Sequence, residues 1–171
     1  MQEFTQLLRK IEFKLSNACD MECAYCGNND GPRHPITCDL PLAAIKDILN
    51  DEELTSLSSV SFTGGEPTLR LQDLVKLISI ASVRGLVTQV NTNGGNLSTD
   101  DILMLGDAGL SILHISFDTL NELLFEQIRG VVDSGVFRRT CNALEFAATR
   151  THIRVHADPT VTRLNVQELI S

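Results

Sequence analysis

The sequence has no long uninterrupted apolar run, because Asp, Arg, Gly or Ser breaks each of its hydrophobic stretches. No segment is therefore long enough to span a bilayer, which takes about 20 apolar residues. Basic residues are also few, with 14 Lys and Arg against 22 Asp and Glu and a net charge of −8. This balance argues against a nucleic acid partner, since phosphate binding usually shows as an excess of Lys and Arg.

The first residues, MQEFTQLLRKIEFKLS, lack the apolar segment and the small-residue cleavage site of a secretory signal. We therefore expect a cytoplasmic protein, in which cysteines are reduced thiols or metal ligands more often than disulfides. The odd number of cysteines, five, agrees with that expectation. The length of 171 residues, without an internal repeat or a low-complexity tract, predicts a single domain over residues 1–171.

Predicted strands and helices alternate along the chain. Short β-rich or alternating runs predict five strands, at residues 11–16, 58–63, 86–92, 110–117 and 152–161. Apolar residues at helical spacing predict helices at residues 40–50, 70–85, 98–109, 121–130 and 135–150, and the start of another at 165. We expect Asp39 to cap the first helix, with Pro41 in its first turn, and Ser98 and Asp101 to form a capping box.

This alternation indicates an α/β fold with a parallel sheet, either an open sheet or a barrel. Five strand–helix units are too few to close an ordinary eight-stranded barrel. In both folds, ligands bind at the carboxyl ends of the strands. The segments at these ends are rich in Gly, Asn, Thr and Cys, and they read NACDMECAYC, GGEP, NTNGG, DTLN and PTVTRLN. We therefore expect a binding site at these ends.

Three of the five cysteines lie close together in the segment CDMECAYC. Cys19, Cys23 and Cys26 could share one face of a helix. Cys38 or His34 could instead complete a zinc site, which needs four ligands. A redox pair of the C-x-x-C type would leave Cys19 without a role. Three thiolates on a loop can also hold three irons of a [4Fe–4S] cluster and leave the fourth iron open. The spacing by itself leaves these alternatives open.

The C-x3-C-x-Tyr-C pattern after the first strand resembles the signature of the radical S-adenosylmethionine (SAM) enzymes. Four further segments resemble motifs of that family, in the same order along the chain. They are TGGEP at 63–67, TNGG at 92–95, HISFD at 114–118 and VTRLNVQEL at 161–169. The resemblance covers residues 11–169. It implies a partial (β/α) TIM-like barrel of parallel strands, with five or six βα units, and two cofactors, a [4Fe–4S] cluster and SAM.

The resemblance also implies roles for individual residues. The implied cluster ligands are Cys19, Cys23 and Cys26. The residues implied to bind SAM are Tyr25 near the adenine, Gly64, Gly65, Glu66 and Pro67 at the amino group, Thr92 and Asn93 near the adenosine, Ser116 and Asp118 on the fourth strand, and Asn165 at the ribose or carboxylate. In this family the cluster cleaves SAM reductively to a 5′-deoxyadenosyl radical, which abstracts hydrogen from a substrate. A flavodoxin or ferredoxin is the expected reductant.

The segments TGGEPTLR and SFDTLNELLFEQIRG resemble the branch that contains the molybdenum-cofactor cyclase and the enzymes that modify peptides or porphyrins. That branch implies a small-molecule or peptide substrate and a substrate contact for Arg70, whereas a solvated arginine at a helix start is the simpler interpretation. The family's partial barrel has six strands, so we expect a core truncated at the C-terminus. A non-catalytic cluster-binding domain and a zinc-binding structural module are the alternatives to an enzyme.

Overall fold

The computed structural model describes residues 7–27, 39–131 and 135–170, and in them five parallel strands form one sheet. The strands are β1 (Lys10–Lys14), β2 (Ser59–Thr63), β3 (Val87–Thr92), β4 (Ile112–Ser116) and β5 (Arg154–Asp158). Each strand pairs in parallel with the next one along the chain. The five predicted strands are confirmed, and each is somewhat shorter than its predicted range.

Helices alternate with these strands as expected. They are α1 (Leu42–Leu49), α2 (Leu71–Val83), α3 (Thr99–Asp107), α4 (Glu122–Arg129), α5 (Val136–Arg150) and α6 (Val166–Leu169), with a 3₁₀ turn (Pro67–Arg70) before α2. The order of the strands in the sheet never reverses, whereas a doubly wound sheet requires a reversal. Right-handed crossovers therefore bring the connecting helices to one face of the sheet, as in a (β/α) barrel.

The two predicted helix caps have different outcomes. Ser98 and Asp101 form the expected capping box at the start of α3, each side chain bonding the other's backbone N–H. The predicted cap of α1 is wrong, because Pro41 occupies the N-cap position and, among the residues that the structure describes, no side chain caps that helix. Pro41 holds the extended conformation there, so the helix begins at Leu42 and not directly after Asp39. The Asp39 carboxylate lies 3.9 Å from the Arg70 guanidinium instead.

The hydrophobic core lies between the sheet and the helices. From the strands it includes Val60, Phe62, Val90, Leu113 and Ile115, and from the helices Ile45, Leu74, Leu77, Ile78, Ile102 and Leu105, all fully buried. Burying one such side chain contributes about 1.5–3 kcal/mol to folding. Since the helical face supplies this stability, the other face of the sheet is available for binding.

That second face carries polar side chains in register. Asn91 of β3 pairs with His114 of β4, and His114 pairs with His156 of β5. Asn91 donates a hydrogen bond across to Ser61 of β2 at 3.3 Å. Among the helices of the described ranges, none has the length and apolar character needed to cross a membrane.

Candidate functional site

A cavity opens at the carboxyl ends of the strands, where the polar loops predicted a site. Nine residues that the sequence pointed to line it: Cys19, Cys23, Tyr25, Cys26, Gly64, Gly65, Thr92, Asn93 and Ser116. Six further residues line it that the sequence did not single out as site residues: Asn17, Met21, Thr63, Asn91, Arg129 and Thr160. The structure therefore brings the loops after β1, β2 and β3 to one place, together with the end of β4.

The three clustered cysteines lie on a loop. Residues 17–27 form turns and no α-helix, so a shared helical face is excluded as the reason for their spacing. The Cys26 amide donates to the Cys23 carbonyl at 3.0 Å, which makes the turn that brings these two residues together. All three cysteines are reduced thiols and are partly exposed. Cys38 and His34, the possible fourth zinc ligands, lie outside the described residues.

The two glycines after β2 hold one side of this loop. The Gly65 amide donates to the Ser16 carbonyl and the Glu66 amide to the Ala18 carbonyl, both at 2.7 Å. A Cβ atom on Gly65 would lie 2.2 Å from the Ala18 oxygen, and one on Gly64 would lie 2.4 Å from the Ser16 oxygen. Only glycine permits so close an approach of two backbones. The Gly-Gly pair thus fixes the chain that leads into Cys19.

The end of α4 holds the other side of the loop. The Glu22 amide donates to the Arg129 carbonyl at 3.0 Å, and the Ala24 amide donates to the Ile128 carbonyl at 2.8 Å. Gly130 ends the helix in the left-handed conformation with φ 61°, as helix C-termini commonly do. A Cβ atom on Gly130 would lie 2.3 Å from the Glu22 carbonyl oxygen. The cysteine loop is therefore clamped between β2 and α4.

A small apolar cluster of Met21, Phe125 and Val136 backs the loop, and Cys19 and Cys23 pack against it. Burial raises the pKa of the Cys19 thiol to about 11, and it raises the pKa of Cys23 against the opposing effect of Arg129. Metal binding must therefore displace protons from these thiols. Three thiols that line one open cavity are the donor set that would hold three irons of a [4Fe–4S] cluster.

Glu66 is buried behind the wall of the cavity, next to the lining residues Thr92 and Asn93. One carboxylate oxygen accepts from the Thr68 amide and hydroxyl and from the Thr92 hydroxyl, at 2.6–3.0 Å, and the other accepts from the Asn93 amide at 2.7 Å. Burial raises the pKa of this carboxyl, and the hydrogen bonds oppose that rise. The carboxylate thus positions Thr92 and Asn93, which do line the cavity. Its contact with the amino group of SAM stays a prediction.

Asp118 is the centre of a buried polar network beside the cysteine loop. Its carboxylate lies 2.8 Å from a guanidinium nitrogen of Arg129 and accepts hydrogen bonds from the Tyr25 hydroxyl at 2.9 Å and the Thr160 amide at 2.8 Å. The Asp118 side chain is fully buried, while its three partners line the cavity. Burial raises the pKa of Tyr25 to about 12, so its hydroxyl is a donor at neutral pH. In this structure Asp118 thus orients three residues that line the cavity: Arg129, Tyr25 and Thr160.

Asn165 is buried below the same network and joins two loops. Its side-chain amide donates to the carbonyls of Asp118 and Thr160, both at 2.9 Å, and accepts from the Thr162 amide at 2.7 Å. It occupies the N-cap position of α6, but no side-chain capping bond forms there. The expected contact with SAM stays a prediction. Asn165 therefore lies behind Thr160 and stabilises the loop that carries Thr160.

Two residues after the glycine pair lie away from the cavity lining. Pro67 is buried and begins the 3₁₀ turn. The Arg70 guanidinium donates to the carbonyls of Leu15 and Leu40, at 2.9 and 3.0 Å, and pairs with Asp73 at 2.9 Å. The interpretation of Arg70 as a solvated helix start is therefore wrong, because only 17% of its side chain is exposed. A substrate contact for Arg70 and a SAM contact for Pro67 stay predictions.

A family model described as the Radical SAM superfamily matches residues 13–168. Among curated proteins, the GTP 3′,8-cyclase of Synechococcus elongatus is 34% identical over 144 residues, covering 81% of this chain and 42% of the cyclase. The mycofactocin maturase MftC of Mycolicibacterium smegmatis is 28% identical over 159 residues, covering 93% of this chain and 39% of the maturase. The chain therefore spans about two fifths of the length of these relatives.

Solved structures have the same fold. Streptococcus suis SuiB bound to S-adenosylmethionine matches with a TM-score of 0.70 and 21% identity, over 96% of this chain and 36% of SuiB. The anSMEcpe structure with bound AdoMet and the Cp18Cys peptide matches with a TM-score of 0.70 and 19% identity, over 95% of this chain and 46% of that one. These matches confirm the expected partial barrel.

Proposed function

Because the chain belongs to the radical SAM superfamily, we propose that it binds a [4Fe–4S] cluster through Cys19, Cys23 and Cys26 and cleaves SAM reductively. When bound, the reduced cluster supplies one electron to the sulfonium of SAM, which yields methionine and a 5′-deoxyadenosyl radical that takes a hydrogen atom from a substrate. The observation that carries this proposal is that all three cysteines line one cavity with the ends of β2, β3 and β4.

The chain's own task is to bind and orient the cofactors. The glycine pair after β2 and the end of α4 fix the loop that carries the cysteines. Around the cavity, Thr92, Asn93 and Ser116 offer side-chain hydrogen-bonding groups. We place the polar groups of SAM against these side chains. Tyr25 offers an aromatic ring in the same cavity, and we place the adenine beside it.

The substrate would lie toward the polar face of the sheet. Below Ser116 this face carries His114, whose imidazole Nδ1 lies 2.7 Å from an Asp158 carboxylate oxygen. The His114 and His156 rings meet edge to face with their centres 4.8 Å apart. These groups can bind and orient a polar substrate by hydrogen bonds. A peptide is the class we favour, since MftC is named a maturase and the anSMEcpe structure holds a peptide; a cofactor precursor or porphyrin is the alternative.

Three further parts of the proposal follow from composition and chemistry. Thiol ligands require a reducing compartment, which supports the cytoplasm as the location. The electron would come from a protein such as a flavodoxin or ferredoxin. We treat residues 1–171 as one radical SAM core domain, with no nucleic acid partner because of the net charge of −8.

The proposal is tested by electron paramagnetic resonance (EPR) of protein reconstituted with iron and sulfide without oxygen and then reduced with dithionite. We expect a [4Fe–4S]⁺ signal that changes when SAM is added, and 5′-deoxyadenosine as a product. Replacing Cys19, Cys23 or Cys26 with serine should abolish the signal. Cys141→Ser is the matched control, because Cys141 lies on α5 and outside the cavity lining.

Two other results would contradict the proposal. A cluster signal that SAM leaves unchanged, with no deoxyadenosine formed, would identify a non-catalytic cluster-binding domain. Stoichiometric zinc without a cluster signal would identify a zinc module, and Cys38→Ser should then lower the zinc content. A three-cysteine iron cluster should be insensitive to that substitution.

A further inference from the structure

Arg129, the last residue of α4, carries a buried positive charge at the cysteine loop. Its side chain is 3% exposed. One guanidinium nitrogen, Nη1, donates to the Cys23 sulfur at 3.7 Å. The Nε atom is buried and has no hydrogen-bond partner among the described residues, although the side chain lines the cavity. A buried charge is costly unless it is paired. The position of the Arg129 guanidinium beside the Cys23 sulfur therefore requires an explanation.

Groups other than the cysteine hold Arg129 in place. The Asp118 carboxylate lies 2.8 Å from Nη2. The Tyr25 and Phe125 rings flank the guanidinium, with their centres 5.8 and 5.6 Å from its central carbon, within the range of cation–π attraction. The guanidinium is therefore held at the Cys23 sulfur by contacts that do not depend on that sulfur.

Asp118 does not need Arg129 to satisfy its oxygens. Its Oδ1 accepts from the Thr160 amide and its Oδ2 from the Tyr25 hydroxyl. If Arg129 served only to pair with Asp118 through Nη2, its Nη1 atom would not need to donate to the Cys23 sulfur. The arrangement is a row of three groups, in which a carboxylate orients a cation and the cation faces a sulfur.

We propose that Arg129 is a positioning residue that raises the reduction potential of the cluster through its charge and hydrogen bond at the Cys23 sulfur, and that Asp118 moderates this effect. The inference rests on the proposed function, because it requires Cys23 to be a cluster ligand. Reduction adds a negative charge to a thiolate-bound cluster, and hydrogen bonds to its sulfurs and nearby charges set its potential. A cation at one sulfur stabilises the reduced form more than the oxidised form, while the Asp118 carboxylate acts in the opposite direction.

The experiment is an EPR-monitored redox titration of the cluster-loaded protein without SAM. We expect Arg129→Met to shift the midpoint potential to more negative values, Asp118→Asn to shift it to more positive values, and Arg129→Lys to lie between Arg129→Met and the wild type. The matched control is Arg84→Met. Arg84 also donates to backbone carbonyls, of Leu49 and Leu54, but it follows α2 and precedes β3, at the amino ends of the strands and away from the cysteine loop. We expect its loss to leave the potential unchanged.

The opposite signs of the two shifts separate this role from a structural one. Damage to the loop would move the Arg129→Met and Asp118→Asn potentials in the same direction, and that result would overturn the proposal. An unchanged potential in Arg129→Met would overturn it as well. If Arg129→Met retains no cluster, Asp118→Asn decides, and anything but a positive shift counts against the proposal. A wild-type protein without any cluster signal would instead refute the proposed function.

Discussion

The backbone amide of Glu22 donates to the backbone carbonyl of Arg129 at 3.0 Å. This hydrogen bond joins the loop that carries the three cysteines to the end of α4, a helix that follows the fourth strand. The loop has no regular structure that could hold it by itself. Its shape therefore depends on contacts with elements far along the chain, and changes at those contacts should affect metal binding without removing a ligand.

Gly130→Ala should prevent the end of α4 from contacting the cysteine loop. The left-handed conformation at φ 61° costs an alanine about 1–2 kcal/mol. The new Cβ atom would also lie 2.3 Å from the Glu22 carbonyl oxygen. We expect the free energy of unfolding to fall by about 3 kcal/mol in total, together with a lower iron content after reconstitution. Denaturant titration and iron analysis measure the two effects.

Gly85→Ala is the matched control for this substitution. Gly85 has a similar left-handed backbone, with φ 78°, but a Cβ atom there would meet nothing within 4 Å. The free energy of unfolding of Gly85→Ala should fall only by the backbone term of about 1–2 kcal/mol, and the variant should keep its iron content. Equal losses of stability and iron in the two variants would show that the Glu22 contact does not hold the loop.

Glu66→Gln should change how stability depends on pH. Burial raises the pKa of this carboxyl above its ordinary value of 4.5, so folding favours its protonated form. Its contribution to the free energy of unfolding is therefore greatest below pH 4.5 and is lost as pH rises through the raised pKa. Each tenfold difference between the folded and unfolded acid dissociation constants corresponds to about 1.4 kcal/mol. The variant should lack this fall in stability.

Denaturant titrations of both proteins at a series of pH values upward from about pH 4, near the ordinary carboxyl pKa, provide the comparison. The wild type should lose stability relative to Glu66→Gln as pH rises. A wild type that gains relative stability with rising pH would mean that the hydrogen bonds from Thr68, Thr92 and Asn93 outweigh the cost of burial.

Asn165→Ala should destabilise the loop after β5. The substitution removes two donated bonds, to Asp118 and Thr160, and two bonds accepted from Thr162, one from its amide and one from its hydroxyl. Each buried group left unsatisfied costs about 1–3 kcal/mol, and partial relaxation should bring the total to about 2–4 kcal/mol. Asn50→Ala is the control, since Asn50 is exposed at the end of α1 and should change stability by less than about 0.5 kcal/mol. If Asn165→Ala lowers the free energy of unfolding no more than Asn50→Ala does, Asn165 does not stabilise this loop.

Arg70→Met should lower stability and leave SAM affinity unchanged. The guanidinium donates to two carbonyls, of Leu15 and Leu40, which tie the loop after β1 to the chain entering α1. We expect a loss of about 2 kcal/mol. Asp73→Asn removes only the charge partner and should cost about 1 kcal/mol or less. Calorimetric titration of the cluster-loaded variants with SAM checks the second expectation, and a weakened affinity in Arg70→Met alone would place Arg70 in the binding site.

Local patterns along the chain were enough to predict the strands, the family and the cysteine cluster. The alternation of β-rich runs with helical spacing identified the five strands, because side-chain periodicity is a property of neighbouring residues. Five motifs at the ends of successive strands, in the order typical of the family, identified it. Parallel strands bring their carboxyl ends to one edge, so these motifs were also expected to form one site. The spacing of Cys19, Cys23 and Cys26 is also a local pattern, so the sequence predicted these three cysteines as a group without a structure.

Which motif residues face the cavity and which lie behind it depends on packing in three dimensions, and the sequence pattern did not predict it. Glu66, Asp118 and Asn165 belong to recognisable motifs, yet their side chains are buried and bond to the cavity wall. Arg129 was not among the residues that the motifs assigned to a site, and its contact with Cys23 exists because α4 packs on the cysteine loop. Such contacts depend on sheet register and on how a helix ends against a distant loop. Those are three-dimensional relationships that no local spacing along the chain encodes.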